Sequence, residues 1–228
     1  MTGVAGVSDR GCVRAENQDA WQADESLGLV VVADGMGGGP AGAQAAAIVA
    51  GRLPELLRKG LNGRDASRGA GIYDGVTRTL NAELSTLNAQ VIGRDASPRR
   101  PRTVRGTVPA GMRRRVARRL LRETVLELSR EILRASAEDP ERKGMGATAV
   151  AAWRCGPVVH VAHQGDSRAY LFRGGVLNKL TADHSIVALL VRSREITEEE
   201  AAKHPARGQL TRFVGMPGDV YCEVQTLM

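Results

Sequence analysis

The chain has 228 residues, 43% of them hydrophobic and 25% charged, enough to bury one sizeable core or two small ones. Aromatic residues make up only 3%, so the core must come from Val, Leu, Ile and Ala, and no run of about 18 apolar residues offers a membrane span. The formal charge of +7 is local: between Gly60 and Arg118 twelve arginines stand against four acids, while the remainder carries 20 basic and 21 acidic residues, which argues against a uniformly nucleic-acid-binding surface.

Residues 1–34 read as strands. "TGVAGVS" (2–8) is small and β-compatible, and "GLVVVAD" (28–34) is a β-branched run of buried-strand length. No basic stretch leads into an apolar block at the N-terminus, so a secretory signal is not expected and the chain reads as cytoplasmic. Pro40 suits the first turn of a helix, and the alanine-rich run after it carries that helix to Pro54. Residues 60–112 are rich in Gly, Pro, Arg and Ser and read as an insertion or mobile loop, with a weak helix at 76–92. A long helix follows over 113–138, where Ala117, Leu121, Val125, Leu128 and Ile132 form one apolar stripe.

Strands are expected at "GATAVAAWRCG" (146–156), "PVVHVAHQGD" (157–166), "SRAYLFRGG" (167–175) and "VLNKLTAD" (176–183). Short helices fit "SIVALLVRS" (185–193) and "TEEEAAKH" (197–204), the latter with Thr197 as N-cap and Glu200 completing a capping box. "LTRFVG" (210–215) and "VYCEVQTLM" (220–228) read as strands. Two blocks of strands with helices between them favour an α+β layered fold. Cys12, Cys155 and Cys222 lie too far apart in sequence for a disulfide framework and read as small buried hydrophobes in a reducing compartment. Trp21 and Trp153 read as core residues. His160, His163, His184 and His204 show no ligand spacing, and His160 and His163 fall on opposite faces of a strand.

The chemistry concentrates in acids at strand ends. Asp34 and Asp166 each close an apolar run beside glycine, and Asp19 stands just before a strand. Carboxylates on a sheet rim can converge as hard oxygen ligands for Mg²⁺ or Mn²⁺. The bland alternative is a hairpin turn at "DG". "GMGGGP" (35–40) lacks the lysine of a phosphate loop, and an aspartate just before the glycines would repel a phosphate unless a cation lay between. Signatures of a covalent nucleophile, such as CxxxxxR or GxSxG, are absent.

"RAENQD" (14–19), "VVADGMGG" (31–38), "GMGATAV" (144–150), "QGDSRAYLFRGG" (164–175), "LTADHS" (180–185), "EITEEEAAKHP" (195–205) and "LTRFVG" (210–215) resemble, in order, the motif series of the PP2C-type (PPM) metal-dependent serine/threonine phosphatases, most closely the bacterial branch. The resemblance implies two packed antiparallel β-sheets flanked by helices, with two Mg²⁺ or Mn²⁺ ions in the cleft and a third, weaker ion beside them. It also implies roles. Asp34 bridges the two metals and the Gly35 carbonyl binds one; Asp166 serves the third metal, with a carbonyl from Gly208. Arg14 grips the substrate phosphate, and Asp19 belongs to the hydrogen-bonded shell. The implied reaction is hydrolysis of phosphoserine or phosphothreonine on a protein, a monomer opposing a serine/threonine kinase.

The sequence departs from the pattern in three places. It stops at Met228, before the "SDG" and "DN" turns that supply further metal-ligating aspartates in the family. The reading is therefore a single domain over 1–228 lacking its C-terminal strands, with an inactive or impaired phosphoprotein-binding form as the alternative. Gln18 replaces a ligating glutamate of some members, and Met36 a histidine of eukaryotic ones. The arginine-rich insertion admits three readings: a solvated loop, a docking arm for an acidic or phosphorylated partner, or a nucleic-acid contact. The last is disfavoured because Tyr73 is its lone aromatic.

Overall fold

The valine-rich run and its neighbours form the centre of an antiparallel sheet. The structure, a computed structural model, describes residues 3–12, 16–37, 39–62, 110–218 and 221–228. Strand β1 (Asp19–Asp24) pairs with β2 (Leu29–Met36), β2 with β3 (Gly146–Ala147) and β4 (Ala149–Cys155), β4 with β5 (Val158–Gln164), and β5 with β8 (Glu223–Leu227). A separate two-stranded sheet joins β6 (Tyr170–Arg173) to β7 (Val176–Lys179). Two long helices, α1 (Gly39–Asn62) and α2 (Ala110–Glu138), pack on the large sheet; α3 (Ile186–Arg192) and α4 (Glu198–Lys203) are short.

One hydrophobic core lies between the large sheet and the long helices. Leu29, Val31 and Ala33 of β2 meet Ala45, Ala46, Val49, Leu53 and Leu57 of α1, with Ala149, Ala151 and Trp153 of β4 beside them. The expected α2 stripe is fully realised: Ala117, Leu121, Val125, Leu128 and Ile132 are all buried. Alternate residues of β2, including Val32 and Asp34, turn to the opposite face of the sheet. That face carries the candidate site. The capping box of α4 is also present, with Thr197 and Glu200 bonded reciprocally.

Several expectations are corrected. Helix α1 does not stop at Pro54 but runs through it to Asn62. Proline removes one backbone donor, yet the fully buried Leu53 and Leu57 on either side anchor both halves, and Arg52 reaches across to Glu131 of α2 at 3.0 Å. The insertion was expected over 60–112, but 60–62 complete α1 and 110–112 begin α2; its remainder, including the 76–92 helix, lies outside the described residues. Residues 3–8 are not a strand. They run past β1, where Gly6 packs so close to Trp21 that a Cβ would sit 2.4 Å from its indole, and Trp21 remains 40% exposed rather than buried. Trp153 is buried, its indole N–H donating to Leu27 O at 3.1 Å. Residues 210–215 form only isolated bridges, Val214 with Ala147 and Leu210 with Ser185, because their backbone partners lie on two different elements. Cys222 is buried, Cys155 partly so, and Cys12 exposed.

Glycine at 35 answers to a close approach. A Cβ there would sit 2.0 Å from the Gly42 carbonyl oxygen, where the first turns of α1 cross β2. Gly35→Ala should therefore destabilise the protein by about 1–3 kcal/mol through overpacking. Gly51→Ala, in open space within α1, should stabilise it by about 0.5–1 kcal/mol through helix propensity. Denaturant titration of both variants checks this; equal effects would show that the crossing is not tight.

Candidate metal centre

Antiparallel register brings the first two acids together. In the β1–β2 ladder Asp19 is paired directly with Asp34, so both carboxylates leave the same face of the sheet from neighbouring strands. Directly opposed like charges destabilise a sheet. Local bonds nevertheless hold the backbone here. Asn17 Oδ1 accepts from the Asp19 N–H at 3.0 Å, and its amide donates to Ser8 Oγ at 2.7 Å. The Gly35 N–H donates to Gln18 O at 3.0 Å, tying the residue after Asp34 to the residue before Asp19.

Around this pair lies a polar pocket of about 170 Å³, lined by Asp9, Arg10, Glu16, Asn17, Gln18, Asp19 and Asp34. Among the described residues the lining comprises four carboxylates, one guanidinium and the amides of Asn17 and Gln18. This is a donor set suited to a hard divalent cation. Sequence reading had picked Asp19 and Asp34 but not Asp9 or Glu16. Glu16 stands within "RAENQD", and Asp9 sits in a turn where its carboxylate accepts from the Gly11 N–H at 2.7 Å; an acid near a recognised motif was the available signal.

Asp166 follows β5 on a turn that is held on several sides. Gly165 takes φ +111°, open to glycine alone without strain. Its N–H donates to His184 Nδ1 at 3.1 Å, and the His184 N–H donates to Gly165 O at 2.9 Å. Two residues past Asp166, Arg168 forks onto both oxygens of Asp183, with a 2.6 Å contact that Lys179 matches from the other side. Burial alone would raise the Asp183 pKa, but the hydrogen bonds from Arg168 and Lys179 outweigh it and hold the carboxyl below its ordinary range. Neither Asp166 nor Gly208 lines the pocket around Asp34. Gly208 lies in an exposed turn after α4, and Arg14 falls outside the described residues.

His160 and His163 lie on opposite faces of β5, as their spacing implied. His160 does face the core, beside Trp153, while His163 turns to the other side and stacks on His184 at 4.3 Å. There the fold assembles His163, His184 and Glu223, residues far apart in sequence, into a cluster close enough to suggest a metal. The hydrogen bonds argue otherwise. Because His184 Nδ1 receives the Gly165 N–H, its proton must sit on Nε2, which points at Glu223 Oε1 3.2 Å away and is left without a lone pair for a cation. Burial, reinforced by neighbouring His163, pushes the His184 pKa down and keeps that neutral form.

The family model for protein phosphatase 2C matches residues 13–210. The serine/threonine phosphatase stp of Listeria monocytogenes is 30% identical over 225 residues, covering 97% of this chain and 69% of its own length. Among solved structures, a bacterial serine phosphatase superposes with a TM-score of 0.67 at 26% identity, covering 96% of this chain and 70% of that one. The catalytic domain of PstP in complex with two manganese ions gives 0.60 at 25% identity, over 97% and 70%. The chain belongs to the protein phosphatase 2C family. It is thus a serine/threonine phosphatase by family and a metal-dependent hydrolase by class, on the α+β fold that the motif series implied.

The Arg168–Asp183 fork yields a pH prediction. A folded-state pKa below the ordinary value makes Asp183 stabilising above about pH 4. That contribution should vanish as pH falls through the lower folded value. Asp183→Asn should cost on the order of 1 kcal/mol at pH 7, limited by solvent screening of the half-exposed Arg168, and should flatten the acid limb of the stability curve. Thermal melts from pH 7 to 2 measure it; an unchanged slope would show that the fork carries no net stability.

Proposed function

We propose that the paired carboxylates of Asp19 and Asp34 seat the divalent cations of a phosphoprotein phosphatase. The observation that carries this is their direct opposition across β1–β2, in a pocket whose described lining holds four carboxylates. Such a concentration of carboxylate oxygen on one rigid rim suits a hard divalent cation. In this reading Asp34 and the Gly35 carbonyl would hold two Mg²⁺ or Mn²⁺ ions, and Asp19 would orient the hydrogen-bonded shell around them. Asp166 would serve a third cation, with the Gly208 carbonyl as a further ligand. The PstP structure with two manganese ions supports the paired site.

Bound there, the cations supply a water of lowered pKa and offset charge as the phosphoester breaks. The chain's own residues do the rest. Asp34 projects from a strand whose neighbours fix its backbone through Gln18 and Thr148, so its carboxylate needs little rearrangement before reaction. Arg14 forks onto two phosphate oxygens, where a planar guanidinium matches the geometry. Asp9 and Glu16 add negative charge at the pocket wall and favour cations over free anions. The substrate is a phosphoserine or phosphothreonine protein, as a relative named serine/threonine phosphatase supports, and a serine/threonine kinase would supply it. Three free cysteines fit work in a reducing, cytoplasmic setting.

The test is direct. With Mn²⁺ the protein should release phosphate from a phosphothreonine peptide, stop on adding EDTA, and recover with excess Mn²⁺. Asp34→Asn should lower turnover at least a hundredfold with its far-UV circular dichroism unchanged. Turnover that survives EDTA would overturn the metal reading.

A further inference from the structure

We propose that the Thr148 hydroxyl is a positioning group that couples the Asp34 strand end to the Asp166 turn. The inference rests on the metal reading above. Thr148 occupies the single-residue gap between β3 and β4, yet the register of β2 passes through that gap unbroken, from Val32 opposite Val150 to Gly35 opposite Ala147. Thr148 is therefore the residue across from Asp34. One half of the expected pairing is ordinary: the Thr148 N–H donates to Asp34 O at 2.8 Å. The other half is not. The Asp34 N–H is received at 2.9 Å by the Thr148 hydroxyl.

That same oxygen lies 2.6 Å from Ser167 Oγ, one residue past Asp166. On its other flank, Thr148 packs under Gly165, where a Cβ would sit 2.6 Å from the threonine methyl. The β4–β5 register, with Ala149 opposite Gln164, puts Gly165 next in the same row. Asp19, Asp34, Thr148 and Gly165 thus form one line across four strands, with Asp166 at its end. Thr148 is 1% exposed, so no solvent competes for the shared hydroxyl. Any shift of the Asp166 turn is transmitted to the Asp34 amide through one oxygen atom. Sequence reading passed over Thr148, since both partners depend on pairings 114 and 19 residues distant.

Two substitutions separate the hydroxyl from the methyl. Thr148→Val keeps the shape and removes the oxygen; Thr148→Ser keeps the oxygen and removes the methyl. Mn²⁺ binding by calorimetry and phosphopeptide turnover are measured on wild type and both variants, with melts recorded in parallel. The valine variant should bind Mn²⁺ at least tenfold more weakly and turn over at least tenfold more slowly. The serine variant should stay within about threefold of wild type on both, whatever its melting temperature. Ser167→Ala, on a half-exposed turn, cuts the far end of the bridge alone and should weaken Mn²⁺ binding about threefold, mainly in the weaker phase. The inference is overturned if valine matches wild type in Mn²⁺ affinity, if serine loses as much as valine, or if Ser167→Ala leaves the isotherm unchanged. Should valine fail to fold, the serine and alanine results decide. A wild type that neither binds Mn²⁺ nor turns over would instead overturn the metal reading, and this inference with it.

Discussion

Two carboxylates set directly opposite one another on adjacent strands are the constraint around which the rest of this fold is arranged. Asp19 and Asp34 share a row of the β1–β2 ladder, a placement that a sheet selected only for stability would avoid. Everything near them resists the repulsion. The Gly35 amide and the Gln18 carbonyl close the strand ends together, and the helix α1 crosses so near that position 35 has no room for a side chain. On the covered face, Leu29, Val31 and Ala33 lock β2 onto α1. The burial energy of one face thus holds the charged geometry of the other.

The second acidic locus is fixed by different means. Asp166 stands on a turn, and turns lack the ladder that stiffens a strand. Here polar groups substitute for it: His184 closes a pair of bonds with Gly165, and Arg168 and Lys179 converge on Asp183. Glu223 of β8 reaches both His184 and Arg212, so the last strand also braces this region. Neutral His184 is the suitable form, since a proton on Nδ1 would evict the Gly165 amide. The apparent metal cluster of His163, His184 and Glu223 is better understood as part of this bracing than as a binding site.

Patterns with a short period were legible in the sequence. The α2 stripe follows from 3.6-residue spacing and the α4 capping box from a threonine and a glutamate three apart; the apolar runs leading to Asp34 and Asp166 were also legible, though β2 continues past Asp34 to Met36 and β5 ends at Gln164, two residues before Asp166. Features made by distant pairing were not. The stack of His163 on His184 and the opposition of Asp19 to Asp34 depend on register, which no local window shows. Pro54 misled because a propensity rule was applied without the buried leucines that override it. The 210–215 segment looked like a strand by composition, but its backbone hydrogen bonds divide between Ala147 and His184 and no ladder results. The exposed Trp21 shows the reverse error, an aromatic assigned to the core that instead supports the glycine-rich N-terminal segment.

If the opposed carboxylates exist to hold cations, metal and fold stability must be linked through Asp34. The most direct measurement is the melting temperature of wild type and Asp34→Asn, each with EDTA and with saturating Mn²⁺. The account predicts that Mn²⁺ raises the wild-type melting temperature by several degrees, since a ligand at about 100 times its dissociation constant contributes about 2.7 kcal/mol. The variant should show no such rise, and in EDTA it should be at least as stable as wild type because one of two repelling charges is gone. A variant that melts well below wild type in EDTA, or that still gains stability from Mn²⁺, would contradict the account and return Asp34 to the role of an ordinary turn residue.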